Sequence, residues 1–135
     1  MHKQIFVNLP VADLPRSKEF FSKLGFTFNA QFTNNEAACM VIGENIYAML
    51  IGTERFRDFT NKEISDATLS TEVLVALTCE SRGEVDELVS KAVAAGGKAP
   101  RAPQDYGFMY SHGFDDPDGH IWEVFYMDPS AVQQE

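Results

Sequence analysis

The sequence predicts an α+β fold built from two βαβββ modules. Two observations predict it. Residues 1–52 and 71–128 run through the same order of elements: an apolar strand-like run, a helix closing on glycine, then three short strand candidates parted by turn formers. Each helix also carries its own start and stop signals. Of the 135 residues 44% are hydrophobic, eleven of them phenylalanine. A domain of this size buries roughly two-thirds of its unfolded surface, enough to fold without a disulfide or a metal. One domain over 1–135 is therefore expected, with module one at about 1–52, a connector over 53–70 and module two at about 71–128.

In the first module "QIFVNLPV" (4–11) reads as a strand ending at Pro10. In the helix that follows, Asp13 is a good N-cap, Pro15 is tolerated in the first turn and Gly25 is a good stop. Leu14, Phe20, Phe21 and Leu24 fall at helical spacing as its apolar stripe. Strand candidates follow at 26–32, 37–43 and 45–52, punctuated by Asn34-Asn35 and Gly43-Glu44-Asn45. The connector is polar but carries Phe56 and Phe59. It is long for a compact domain, so it reads equally as a short helix or as a functional flap.

The second module opens on the β-branched run 71–79. Ser81-Arg82-Gly83-Glu84 has the S-x-x-E capping-box pattern. Val85, Leu88, Val89 and Ala92 form the buried stripe, Glu87 and Lys91 an outward i,i+4 pair, and Gly96-Gly97 the stop. "KAPRAP" (98–103), "YGFMYSHGF" (106–114) and "HIWEVFYMD" (120–128) complete the repeat as strands. A four-stranded sheet with one helix leaves one face uncovered. Two such sheets can curl into a half-open barrel, helices outside, with a concave interior able to hold a ligand.

Composition excludes several classes. A net charge of −9, from 11 basic and 20 acidic residues, with no basic cluster longer than a pair, argues against nucleic acid as a partner. Cys39 and Cys79 lie in apolar runs without metal-finger or CxxC spacing. They read as buried free thiols in a reducing, cytoplasmic setting. The N-terminus has no signal-peptide pattern, no 18 apolar residues run together, and no membrane association is expected. Phosphate loops, nucleophile elbows and HExxH motifs are absent from the sequence.

"FVNLPVADLPRSKEFFSKLGF" (6–26) resembles the opening strand and helix of the vicinal oxygen chelate superfamily, which includes glyoxalase I, extradiol dioxygenases, and fosfomycin- and bleomycin-resistance proteins. "DDPDGHIWEVFYMD" (115–128) resembles its closing strand, and "AVAAGGKA" (92–99) the end of its second helix. The resemblance spans nearly the whole chain. It implies the half-open barrel and a homodimer, but not one chemistry, since the superfamily hosts lyases, dioxygenases, transferases and binders.

It also implies where a divalent metal would be held: by inward His or Glu side chains from the first and last strand of each half. Glu123, four residues after Gly119, matches the last of these positions. The others fall on Phe6, on Met49 (or Tyr47 with the register shifted by two) and on Leu74. None of these is a donor suited to Zn, Ni, Mn or Fe(II). No cofactor is therefore expected, and a metal held by Glu123 and His112 is the alternative.

Strand alternation puts Phe6 with Asn8, and Leu74, Ala76 and Thr78 with Glu123 and Phe125 on the matching face. Glu123 reads as a substrate partner, a proton acceptor or a salt-bridge member, and Asn8 as a substrate donor or a buried amide. Tyr47, Tyr110, His112 and Phe125 complete the candidate ligand-binding set. The favoured function is a binder of a small organic molecule, cationic if Glu123 faces it. The alternative is a lyase- or dioxygenase-type enzyme similar to lactoylglutathione lyase, using a metal or Glu123 as base.

Overall fold

The structure, a computed structural model, describes residues 1–131; residues 132–135 lie outside it. The chain divides into two compact units, Met1–Asp66 and one that begins at Ala67. Both follow the expected β-α-β-β-β order.

The first unit contains β1 (Ile5–Val11), α1 (Leu14–Lys23), β2 (Thr27–Asn29), β3 (Ala37–Gly43), β4 (Ile46–Gly52) and α2 (Thr53–Phe56). Its sheet runs β1-β4-β3-β2, with β1 parallel to β4 and the rest antiparallel. β1 does not stop at Pro10 as expected. It continues to Val11, with Pro10 in register with Ile51. An edge strand tolerates a proline because the missing N–H can fall on its unpaired side. The expected strand over 26–32 keeps only three residues. Asn29 then accepts the Gln31 amide at 2.9 Å and caps a 3₁₀ turn over Ala30–Phe32.

α1 starts where Asp13 accepts the Arg16 amide at 3.1 Å. It ends at Gly25, whose φ of 103° lets the Phe26 amide reach back to the Phe21 carbonyl at 3.1 Å. Its stripe of Leu14, Phe20, Phe21 and Leu24 is buried, and so is Ser17. Leu9, Ala48, Leu50, Ala38 and Met40 are buried on the sheet face of matching parity.

The second unit contains β5 (Leu74–Thr78), α3 (Arg82–Ala94), β6 (Gln104–Asp105), β7 (Met109–Asp115) and β8 (Ile121–Met127), in the sheet order β5-β8-β7-β6. Ser81 caps α3, accepting the Glu84 amide at 3.0 Å. The reciprocal bond of the expected capping box lands one residue early: the Glu84 carboxylate accepts the Glu80 amide at 2.9 Å. Residues 98–103 are not a strand. Only Lys98 bridges to Asp115, because Pro100 and Pro103 have no N–H for a ladder. Val85, Val89, Ala92, Phe114, Trp122 and Val124 form the core.

Candidate functional site

Each sheet has a face turned away from its helix, and the candidate residues divide by face. In module one, Phe6, Asn8, Tyr47 and Met49 share the face away from α1, as alternation predicts. Phe6 and Tyr47 are directly paired across β1 and β4, and their rings stack at 4.7 Å. Phe6 is 46% exposed, a large apolar side chain left unburied. Further along the same face Met49 and Ile51 form the floor of a groove of about 370 Å³. Phe32 from the 3₁₀ turn and Arg55 and Phe59 from the connector wall it. The connector is thus a short helix, α2, followed by a 3₁₀ turn over Arg57–Phe59, and it also borders this groove. Arg55 is fixed by Asp58 at 2.7 Å and lies 4.7 Å over the Phe59 ring.

In module two, register sets the neighbours of Glu123. It stands between Ala76 on β5 and Gly113 on β7, with Leu74 and Ile121 in the next row one way and Thr78, Phe125 and Ser111 in the next row the other way. Among the described residues nothing donates a hydrogen bond or ion pair to its half-buried carboxylate. The salt-bridge reading of Glu123 therefore has no partner here.

The structure does not bring His112 and Tyr110 to Glu123. His112 pairs with Val124 and Tyr110 with Tyr126, so both project from the opposite, helix-side face. There the Tyr110 hydroxyl donates to Asp86 on α3, and His112 Nε2 lies 3.0 Å from the Arg101 carbonyl. The Asp86 carboxylate and burial raise the Tyr110 pKa. Arg82 lies 5.2 Å over its ring while gripping Asp105 and the Gly107 carbonyl, each at 2.9 Å. The hydrogen bond from Arg82 holds Asp105 below the usual carboxylate range. This cluster braces the 105–110 hairpin against α3. A Glu123–His112 metal pair is thereby corrected: alternation places the two on opposite sides of one sheet. The turn between β7 and β8 holds the signal for this. Asp116 and His120 close it, with the Asp116 amide 3.0 Å from the His120 carbonyl, and counting outward pairs Gly113 with Glu123.

The same turn explains the D-P-D-G motif. Asp116 is buried, and its carboxylate accepts the amides of Asp118 at 2.9 Å and His120 at 3.0 Å and the Trp122 indole N–H at 2.9 Å. Burial raises its pKa. Gly119 has φ +90°, and a Cβ there would stand 2.8 Å from the backbone of Ala67 and Thr68. The motif is thus a lock that fixes the register of β8, and with it the face on which Glu123 stands.

Comparison with known proteins fits this architecture. A family model described as bleomycin resistance protein-like N-terminal matches residues 3–43. A hypothetical protein from S. aureus is 29% identical, with a TM-score of 0.80 over 93% of this chain and 94% of that one. A glyoxalase-related enzyme from Fulvimarina pelagi superposes with a TM-score of 0.79 at 22% identity, over 93% and 88% of the two chains. The fosfomycin resistance protein FosX from Listeria monocytogenes gives 0.68 at 19%, over 100% and 95%.

The chain has the fold of glyoxalase and bleomycin-resistance proteins. Comparison with curated sequences returned no match. The metal that the sequence resemblance implies does not fit the residues present. Phe6, Tyr47, Met49 and Leu74 supply rings, a phenol, a thioether and an alkyl chain where hard or borderline donors are needed, which leaves Glu123 alone. Among the described residues no three of His, Cys, Asp and Glu gather as a ligand set. Cys39 and Cys79 are buried free thiols. Burial, then the adjacent Glu84 carboxylate, pushes Cys79 up to about 11, far from a reactive thiolate. Among the described residues no helix is long and apolar enough to cross a membrane.

Proposed function

We propose that this protein binds a small organic molecule without a metal, through the sheet faces turned away from its helices. One observation carries the reading: three of the four positions that hold metal in the superfamily this chain resembles are given to the apolar side chains of Phe6, Met49 and Leu74, and on module one these continue into the groove floored by Met49 and Ile51. An apolar face with a few polar groups around it is the ordinary make-up of a ligand site. Glu123, without a partner among the described residues, supports an amine-bearing ligand. The exposed apolar residues of and beside the edge strands β1 and β5, Ile5, Phe6, Val73 and Leu74, support a homodimer that covers them.

The test uses chelator-treated protein. Anilinonaphthalene sulfonate, an apolar fluorescent probe, is expected to bind saturably at one site per groove and raise the melting temperature, and Met49→Lys to abolish both. Titration with Zn²⁺, Ni²⁺, Mn²⁺ and anaerobic Fe²⁺ is expected to show no stoichiometric binding. One ion per chain, lost in Glu123→Gln, would sink the metal-free reading.

A second reading rests on the same carboxylate. An unpaired acid on an open face is placed to take a proton next to a substrate carbonyl. Turnover that disappears in Glu123→Gln while the melting temperature holds would select it over simple binding.

A further inference from the structure

Module two carries a second charge beside Glu123 that nothing in the sequence singled out. Arg101 lies in the irregular segment before β6, yet its guanidinium reaches the face on which Glu123 stands. Its Nη2 donates to Asp115 Oδ1 at 2.9 Å, and Asp115 shares a face with Gly113 two residues earlier on β7. A Cβ built on Gly113 would stand 3.0 Å from the Trp122 carbonyl oxygen, 3.7 Å from Arg101 Nη2 and 3.7 Å from the Glu123 Cα. With no side chain on Gly113, the guanidinium lies close over the backbone beside the glutamate strand. On the other side of Glu123 stands Ala76, also small.

The two charges are not used up by each other. Arg101 and Asp115 form the ion pair; Glu123 has no partner among the described residues. A guanidinium has five N–H donors, and one bond to Asp115 leaves an edge free for a second anion. The rows on either side of Glu123 are apolar on β8: Ile121 with Leu74, then Phe125. Leu74 is 53% exposed, so this apolar surface is accessible.

We infer that the open face of module two binds a free α-amino acid with an apolar side chain: its ammonium on Glu123, its carboxylate on Arg101 over Gly113, and its side chain against Leu74 and Phe125. The inference rests on the ligand-binding reading above and names the ligand class for the Glu123 face. It does not use the groove of module one. A carboxylate facing an ammonium and a fork facing a carboxylate together select a zwitterion. A lone cation gains nothing from Arg101, and a lone anion is repelled by Glu123.

The test is calorimetric titration of the full chain with L-phenylalanine, with L-phenylalaninamide, which lacks the carboxylate, and with 3-phenylpropanoate, which lacks the amine. L-Phenylalanine is expected to bind at least tenfold more tightly than either analogue. Glu123→Gln should remove the preference for L-phenylalanine over 3-phenylpropanoate, and Arg101→Gln its preference over the amide. Ala76→Leu puts a bulky side chain beside Glu123 from an exposed position on an edge strand, so it should abolish binding without lowering the melting temperature. Equal affinity for all three ligands, no binding of any, or L-phenylalanine binding unchanged in Ala76→Leu would overturn the inference. Probe binding in the module-one groove, blocked by Met49→Lys, reports separately whether the wider ligand-binding reading holds.

Discussion

Asp116→Asn isolates the hydrogen bond that locks the D-P-D-G turn to the core. The carboxylate meets donors on both oxygens: two backbone amides on Oδ1 and the Trp122 indole N–H on Oδ2. Asparagine has one acceptor oxygen. If that oxygen keeps the two amides, the new NH₂ faces the indole N–H, donor against donor, inside the core where Trp122 is fully buried. A buried donor left unpaired costs about 1–3 kcal/mol. Part of this is offset because asparagine removes the cost of burying an ionised carboxylate, the cost that raises the Asp116 pKa. The expected net loss is about 2 kcal/mol, or roughly 6–10 °C in melting temperature for a chain of this size. Urea denaturation of the single variants and of Asp116→Asn/Trp122→Phe measures it. Phenylalanine has no indole N–H to oppose, so the asparagine should cost at least about 1 kcal/mol less in that background. The same cost beside Trp and beside Phe, or a loss under about 0.5 kcal/mol with Trp present, would refute the mechanism.

Three further outcomes follow from the same geometry. Gly119→Ala is expected to lose about 2–4 kcal/mol, from positive φ together with the approach to Ala67 and Thr68. Gly25→Ala, with φ +103° but open space around its Cβ, should lose only about 1 kcal/mol, and thermal melts of the two compare them. Asp116 also predicts a pH effect. An acid whose folded pKa is raised holds its proton more tightly when folded, so its contribution favours the fold below the unfolded value near 3.8. That contribution is lost as pH rises through the folded pKa. Denaturation midpoints between pH 4 and pH 7 should therefore show wild type gaining on Asp116→Asn as the pH falls. Finally, both cysteines should resist a thiol reagent such as dithionitrobenzoate in the native protein at pH 8 and react fully in urea, since both are buried and both thiol pKa values are raised.

The sequence by itself determined the elements and their order, because the signals are local. Asp13 and Ser81 cap their helices from three residues away, Gly25 and Gly96 end them through positive φ, and the buried stripes follow helical periodicity. Alternation within one strand was equally legible, so Phe6 stands with Asn8 and Glu123 with Phe125. The tertiary structure alone decided how faces match between strands. Alternation fixes sides within a strand, but only register relates β7 to β8, and that register places His112 and Tyr110 against α3. It also decided Arg101. This residue sits in a proline-punctuated segment with no periodicity, and only the path of that segment along β7 carries the guanidinium over Gly113 to the face of Glu123.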